Sequence, residues 1–281
     1  MPRVDDSKYG RGDVLVVGGA RSTPGAVLLA GMAALRMGAG RLSLGASESV
    51  AVGLAIALPE AGVTGLAETS AGAVRGEGVK ALADSVASAD ALLIGPGLDD
   101  GEETAKLLGR LTSLLGEETK VVLDAYALGA LAELGASDRL SGRLVLTPKP
   151  GEAEMLLEAE VGSAPEEQAE AAVEIARRYG AAVSLQGVVA DTDANTWHTS
   201  TGHGGLATSG SGDVLAGSVT GLVARGATLA QAACWATHLH AVAGDRLAAR
   251  VGPTGFLARE LLDELPVVLT ELTTSTGWSS P

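Results

Sequence analysis

The sequence lacks the features of a disulfide-bonded or membrane-spanning protein. Cys234 is the single cysteine, which excludes a disulfide framework and a cysteine-based metal site. The longest weakly polar run, 214–224, is far shorter than the roughly 20 residues of a membrane span. Residues 1–13 carry charges of both signs and contain no apolar core of the signal-peptide kind. We therefore expect a protein of the reducing cytoplasm that has no membrane partner.

The chain also has little that would attract a polyanion. Its 34 acidic residues outnumber its 20 basic residues, for a formal net charge of −14, and no basic tract interrupts this excess. The three tryptophans are too scattered to form a stacking platform for single strands. His238 and His240 project about 200° apart on a helix, so they do not form a metal site. A nucleic-acid partner is not expected.

The composition predicts a large folded core. Hydrophobic residues make up 46% of the 281 residues, enough for one large or two small domains. The 39 glycines are about twice the usual share of roughly 7% and show no collagen-like period, so we expect them at turns and close backbone approaches. No composition shift marks a linker. We expect a single domain over 1–281, with a frayed tail at 270–281.

Short apolar runs alternate with Ala- and Leu-rich segments along most of the chain. The candidate strands are 13–17, 41–44, 91–94, 120–123, 143–146 and 182–185. Their nearly continuous apolar character is typical of parallel strands buried on both faces. Helices are expected at 25–37, 48–57, 79–88, 102–115, 127–134, 152–158, 166–179, 213–224, 229–249 and 255–264. The pattern predicts an α/β fold with a doubly wound, mostly parallel sheet.

Glycines and polar residues follow the predicted strands, at the edge where open parallel sheets bind ligands. These positions are Gly18-Gly19-Ala20, Pro24-Gly25-Ala26, Gly95-Pro96-Gly97-Leu98, Asp124, 147–152 and Gln186-Gly187. Two of the acids have a second interpretation that the sequence leaves open. Asp124 either caps the helix predicted near Ala127 or faces a ligand, and Glu152 either stabilises the first turn of a helix or faces the same ligand.

The strongest local motif is Thr208-Ser209-Gly210-Ser211-Gly212-Asp213, which runs directly into an apolar helix. Small residues let backbone N–H groups converge at a helix N-terminus, where the partial positive charge favours a phosphoryl group or other anion. Asp213 stands at the same point and is a candidate general base for a hydroxyl held beside that anion. The alternative is that Asp213 only caps the helix.

With this set of motifs the chain resembles the ribokinase-like superfamily, and within it the ADP- or ATP-dependent NAD(P)H-hydrate dehydratases. The resemblance extends from Tyr9 to about Leu269 and rests on the order of the motifs. They are Pro24-Gly25-Ala26, the run 33–40, Gly95-Pro96-Gly97-Leu98, Leu123-Asp124-Ala125, Leu146-Thr147-Pro148, Gly151-Glu152 and the run 210–217. The family implies a three-layer sandwich, and the epimerase domain that some relatives carry has no counterpart in this sequence.

The resemblance implies that ADP or ATP drives the dehydration of the S epimer of hydrated NADH or NADPH. Asp213 would be the catalytic base, and Mg²⁺ would bridge the nucleotide phosphates with indirect help from Glu152. The residues expected to contact the hydrated dinucleotide are Ala26, Gly97, Asp124, Lys149 and Asp213. Those expected to hold the nucleotide are Gln186, Gly187, Val188, Val189, Ala190, Gly210, Ser211 and Gly212. The family also implies a homo-oligomer, expected to be a tetramer.

Three positions depart from the family pattern. Relatives usually have His in place of Lys149 and Lys in place of Gln186, and often a second Asp in place of Tyr126. Loss of a cation beside a phosphate removes a hydrogen bond worth roughly 1.5–3 kcal/mol, unless Lys149 supplies the charge from another side. Two other functions therefore stay open: a small-molecule kinase of the hydroxyethylthiazole or hydroxymethylpyrimidine type, and a non-catalytic nucleotide-binding protein.

Overall fold

The computed structural model describes residues 7–135, 138–202 and 204–275. Their nine strands form one sheet in the order β3-β2-β1-β4-β5-β6-β7-β8-β9. The strands are β1 (Asp13–Val17), β2 (Arg41–Ser47), β3 (Ala61–Leu66), β4 (Ala91–Ile94), β5 (Lys120–Leu123), β6 (Leu144–Leu146), β7 (Ala181–Leu185), β8 (Val188–Ala190) and β9 (Thr196–His198). The first seven pair in parallel, and β8 and β9 pair antiparallel. The predicted α/β class and mostly parallel sheet are confirmed.

Helices cover both faces of this sheet. They are α1 (Pro24–Arg36), α2 (Glu48–Ala57), α3 (Ala83–Ser88), α4 (Gly101–Leu114), α5 (Tyr126–Leu134), α6 (Pro150–Leu157), α7 (Pro165–Tyr179), α8 (Ser211–Ala224), α9 (Leu229–Val251) and α10 (Ala258–Ser275). Val14 and Val16 pack with α1, α2, α8, α9 and α10, whereas Leu15 and Val17 pack with α3 to α7. Successive residues of one strand thus enter two separate cores, which explains the continuous apolar runs. No helix of the described ranges is both long and apolar enough to cross a membrane.

All six predicted strands are present, and the three strands that were not predicted lie toward the sheet edges. β3 contains Gly62 and Gly65, which have low strand propensity, and it forms one edge of the sheet. β8 and β9 have three residues each and form a hairpin after β7. Such short segments give too little periodicity for a sequence-based assignment.

The predicted helices are also present, with two corrections. The segment predicted at 79–88 begins as a 3₁₀ helix, Gly76–Leu82, before α3. The tail expected to be frayed begins inside α10, which continues to Ser275 instead of ending near residue 264, and residues 276–281 lie outside the described ranges. Packing of Leu265, Val268 and Leu269 against the core stabilises this helix despite its weak helix formers.

Two glycines bring α8 close to α1. A Cβ atom at Gly217 would lie 2.1 Å from the carbonyl oxygen of Ala30, and one at Gly221 would lie 2.5 Å from that of Ala34. No larger residue fits at such distances, so the glycines permit direct backbone contact between the helices. This contact fixes the N-terminus of α8 relative to that of α1.

Candidate active site

The loops after β1 and β4 are joined by backbone hydrogen bonds. The Gly19 N–H donates to the Pro96 carbonyl, and the Ala20 N–H donates to the Gly97 carbonyl, both at 2.8 Å. Gly97 has φ +69°, and a Cβ atom there would lie 2.4 Å from the Thr23 carbonyl oxygen and 3.0 Å from the Ala26 Cβ. The structure therefore brings Gly97 and Ala26, two predicted substrate contacts, into direct proximity.

Asp124 lies at the end of β5 and is only 5% exposed. Its Oδ1 accepts a hydrogen bond of 2.7 Å from the Thr147 hydroxyl at the end of β6. Burial raises the pKa of Asp124 to about 7; the charges of Asp213 and Glu152 raise it further, and the Thr147 bond and Lys149 oppose the shift. The carboxyl group bonds across the sheet edge to Thr147, and the N-cap position of α5 is occupied by Ala125. The Asp124 side chain is therefore not the cap of α5, and its ligand-facing role stays a prediction.

The start of α6 contributes Lys149 and Glu152. The Glu152 carboxylate accepts a 2.8 Å hydrogen bond from the Lys149 N–H, which supports the interpretation of Glu152 as a first-turn helix acid. The exposed Lys149 side chain extends toward α8, because a Cβ atom at Gly212 would lie 3.8 Å from its Cε. A cationic side chain therefore stands beside the glycine-rich start of α8.

α8 begins at an N-cap that has no side chain. Gly210 has φ +88°, which favours glycine on conformational grounds, and a Cβ atom there would lie 2.6 Å from Leu29 Cδ1, so the leucine side chain would have to shift. The Ser211 N–H donates to the Thr208 carbonyl, and the Val214 N–H donates to the Gly210 carbonyl. The Gly212 and Asp213 N–H groups belong to the first turn, where the helix itself offers no acceptor. This helix start has the geometry of an anion-binding site.

Asp213 is the third residue of α8, so the N-cap role belongs to Gly210. The carboxyl group turns back toward the cap, with Oδ2 3.9 Å from the Cβ position of Gly210. Burial raises the pKa of Asp213 to about 6, and the charge of Lys149 opposes the shift. A carboxylate with a pKa near neutrality at an anion-binding helix start is suited to accept a proton.

The other predicted nucleotide contacts lie in the β7–β8 hairpin. Gln186 and Gly187 form its two-residue turn, with φ +48° and +84°, at the sheet edge that carries Thr147. The side chains of Val188, Val189 and Ala190 are buried in the two cores, and β8 is paired on both sides. The turn is therefore the accessible part of this segment, and the nucleotide contacts at these five positions stay a prediction.

Sequence reasoning missed one polar residue of this region. His240 on α9 is buried, and its Nε2 lies 3.0 Å from both the hydroxyl and the carbonyl oxygen of Ser211. This contact is not recognisable from the sequence, because nothing in the local sequence links α9 to the start of α8.

The acids at this edge of the sheet do not form a metal centre by themselves. Among the described residues, no three His, Cys, Asp or Glu side chains are close enough together to hold a metal ion. Mg²⁺ is usually held by one or two carboxylates together with substrate phosphates and water. Asp124, Glu152 and Asp213 therefore form no preformed cage, and a Mg²⁺ ion at this edge would take most of its ligands from nucleotide phosphates and water.

Comparisons with known proteins agree with this geometry. Residues 14–267 match the model of the NAD(P)H-hydrate dehydratase family. The ADP-dependent (S)-NAD(P)H-hydrate dehydratase of Xanthomonas campestris pv. campestris is 41% identical over 279 residues, which cover 97% of this chain and 93% of that protein.

Solved structures give the same result for the fold. The ADP/ATP-dependent NAD(P)H-hydrate dehydratase from Bacillus subtilis, co-crystallised with ATP and Mg²⁺, has a TM-score of 0.82 at 31% identity and covers 96% of this chain and 94% of its own. A ribokinase-like superfamily protein from Enterococcus faecalis has a TM-score of 0.81 at 22% identity, with 96% and 91% covered. The expected ribokinase-like sandwich is confirmed, and the chain belongs to the NAD(P)H-hydrate dehydratase family.

Proposed function

We propose that this protein dehydrates the S epimer of hydrated NADH or NADPH, with ADP or ATP as phosphoryl donor. The observation that carries the proposal is the start of α8, where Asp213, with its raised pKa, adjoins free first-turn amides and the Lys149 side chain. Membership of the dehydratase family supplies the substrate class.

The chemistry explains why a nucleotide is needed. Hydroxide is a poor leaving group, since the pKa of water is about 15.7, whereas the second ionisation of a phosphate ester is near 6. The substrate hydroxyl oxygen forms a bond to the terminal phosphorus as the bond to the donor oxygen breaks, which releases AMP from ADP or ADP from ATP. The C–O bond then breaks, inorganic phosphate departs, and loss of a ring proton restores the dihydropyridine.

Each part of the site has a role in this reaction. Asp213 accepts the hydroxyl proton during phosphoryl transfer, and the first-turn amides of Gly212 and Asp213 stabilise charge on the migrating group. Gly97 and Ala26 form a small-residue surface on which the hydrated dinucleotide lies. Asp124, held by Thr147, adds a polar contact from β5.

The nucleotide is proposed to lie between the start of α8 and the Gln186-Gly187 turn. Gln186 replaces the lysine of relatives, and the proximity of Lys149 to Gly212 supports the idea that Lys149 supplies the missing positive charge. A bound Mg²⁺ would neutralise charge on the nucleotide phosphates, with Glu152 and Asp124 as the candidate acids near it.

The remaining expectations are also proposals. We propose a single domain over 1–281, a cytoplasmic location and a homo-oligomer, specifically a tetramer. The exposed apolar side chains of Val52 and Ile56 on α2 are compatible with subunit contacts. Sedimentation equilibrium of the purified protein tests the tetramer, and a single monomeric species would contradict it.

The activity is tested by incubating the purified protein with hydrated NADH and either ADP or ATP. We expect the dihydropyridine absorbance to recover and inorganic phosphate to accumulate in equal amount. A stable phosphorylated product without phosphate release would indicate a small-molecule kinase. Nucleotide binding without any turnover would indicate a non-catalytic nucleotide-binding protein.

A further inference from the structure

The two glycines that open the start of α8 also leave it without side-chain restraint. Gly210 and Gly212 flank Ser211, and glycine has more backbone freedom than any other residue. Proposed donors to a transferring phosphoryl group are effective only when they are held in place before the reaction. A side chain from elsewhere in the fold can add to the backbone hydrogen bonds that hold this turn.

His240 of α9 is placed to hold this turn from its buried side. It lies on the buried side of α9, and its Nε2 is 3.0 Å from the Ser211 carbonyl oxygen and 3.0 Å from the Ser211 hydroxyl. A carbonyl oxygen only accepts hydrogen bonds, so Nε2 must carry the proton. The same N–H faces the hydroxyl, so the hydroxyl oxygen accepts and its own hydrogen points away from the ring.

The contact with the carbonyl has a direct consequence for Gly212. The Ser211 carbonyl and the Gly212 N–H belong to one planar trans peptide and point in opposite directions. A hydrogen bond that holds the carbonyl therefore also sets the direction of the Gly212 N–H, which is a proposed donor to the phosphoryl group. His240 acts on the site through this peptide plane, without touching substrate or nucleotide.

The environment keeps the histidine in the form that this role needs. Burial lowers the pKa of His240 to about 4, with the Ser211 carbonyl bond opposing the shift, so the ring is neutral at physiological pH. A neutral ring has one N–H, and the carbonyl fixes it on Nε2.

From this geometry we infer that His240 is a positioning residue, which holds the Ser211–Gly212 peptide so that the Gly212 N–H points at the transferred phosphoryl group. The inference rests on the proposed function for the identity of that group. The inference adds a residue from the middle of a helix, α9, to a site otherwise built from strand-end loops and helix N-termini.

The experiment compares His240→Gln, His240→Asn and His240→Leu with a control on the same helix. Glutamine places an amide N–H near the position of Nε2, whereas asparagine is one bond shorter and leucine has no donor. The control is Thr237→Val, which removes a buried 2.7 Å hydrogen bond to Ser184 one turn away and leaves both His240 contacts with Ser211 in place. Measurements are the Kd for ADP, kcat and KM for hydrated NADH, and the melting temperature.

We expect His240→Leu and His240→Asn to raise the Kd for ADP and lower kcat by about tenfold or more, with little change in KM for hydrated NADH. His240→Gln should restore both values to within a few-fold of wild type. Thr237→Val should lower the melting temperature and leave Kd and kcat at wild-type values.

Three results would overturn the inference. They are wild-type Kd and kcat in folded His240→Leu or His240→Asn, equal losses in His240→Gln and His240→Asn, and an equal catalytic loss in Thr237→Val. If His240→Leu does not fold, the comparison of glutamine with asparagine still decides. The ADP Kd does not depend on dehydration, so a wild-type protein that binds ADP without turnover would refute the proposed function and leave this inference testable.

Discussion

Helices α4 and α8 each carry an acid at the third position, and these two acids have opposite environments. In α4 the N-cap is Asp100, whose carboxylate accepts a 3.0 Å hydrogen bond from the Glu103 N–H. Glu103 itself accepts a hydrogen bond from the Gly76 N–H and pairs with Lys106, and these contacts hold its pKa below the usual range. In α8 the N-cap is Gly210, and burial raises the pKa of Asp213 to about 6.

The difference separates a structural helix start from a functional one. At α4 the N-cap side chain accepts from the Glu103 N–H, and the Glu103 carboxylate has partners of its own, so neither this amide nor this acid is left for a ligand. At α8 the chain leaves both the amides and the acid available and stabilises the helix by other contacts, chiefly the close packing of Gly217 and Gly221 on α1. Stability and ligand binding are thus assigned to different ends of α8.

The largest difference in kcat between the two helix starts is expected when each acid is replaced by its neutral amide. Asp213→Asn should lower kcat by about 10² to 10⁴-fold, because the hydroxyl loses its proton acceptor, while the Kd for nucleotide changes little. The matched Glu103→Gln variant should keep wild-type kcat. Steady-state kinetics and calorimetric titration with ADP provide the measurements. Retained activity in Asp213→Asn would refute the role of general base.

The pH profile tests the same acid without mutation. Asp213 must be ionised to accept a proton, so kcat/KM should rise with pH and level off above about 6. Below that value kcat/KM should fall by up to about tenfold for each pH unit. A rate measured from pH 5 to 8 that does not vary over this range would contradict the assignment.

The open first turn of α8 is tested at Gly212. Gly212→Val should raise the Kd for ADP by about tenfold, because its branched side chain occupies the space that the phosphate needs. Gly212→Ala is the matched control: its Cβ meets Lys149 Cε at an ordinary 3.8 Å, and a smaller effect is expected. Equal ADP affinity of the valine variant and wild type would place the anion site elsewhere.

Asp124 offers a test in stability. Its pKa is about 7 in the folded protein and 3.8 in the reference state, so between these values the folded state binds more protons and stability falls as pH rises. The contribution of Asp124 to this slope should be on the order of 1 kcal/mol for each pH unit, beside a contribution of the same sign from Asp213 and one of opposite sign from His240. Asp124→Asn, which keeps an acceptor for Thr147, should flatten this slope in urea unfolding from pH 4 to 8. An unchanged slope would show that other groups cause it.

The smallest effect is expected at α4, whose N-cap is provided by its own side chain. Asp100→Ala removes the N-cap of α4 and should lower the free energy of unfolding by about 1 kcal/mol, with kcat and KM unchanged. Thermal unfolding and kinetics on the same sample measure both. A loss of activity at wild-type stability would mean that α4 also serves the site.

Much of the candidate site could be predicted because each of its motifs consists of residues that are contiguous in sequence. The run 208–213, the Gly95-Pro96-Gly97 loop and Asp124 at a strand end are all local signals, and parallel topology places strand ends at one edge. His240 could not be predicted, because it reaches Ser211 across 29 residues of sequence through the packing of α9 on α8. That the Asp124 side chain does not cap α5 also needed the position of Thr147, 23 residues away.

The sequence by itself determined the α/β class, the six main strands and the glycine-rich loops, because strand burial and turn conformation are written in local residue types. The tertiary structure alone decided the protonation of Asp124, Asp213 and His240, since burial and neighbouring charges set these pKa values. It also decided how the two helix starts differ. At α4 the loop containing Gly76 folds back and satisfies the acid, whereas at α8 the acid stays free to act.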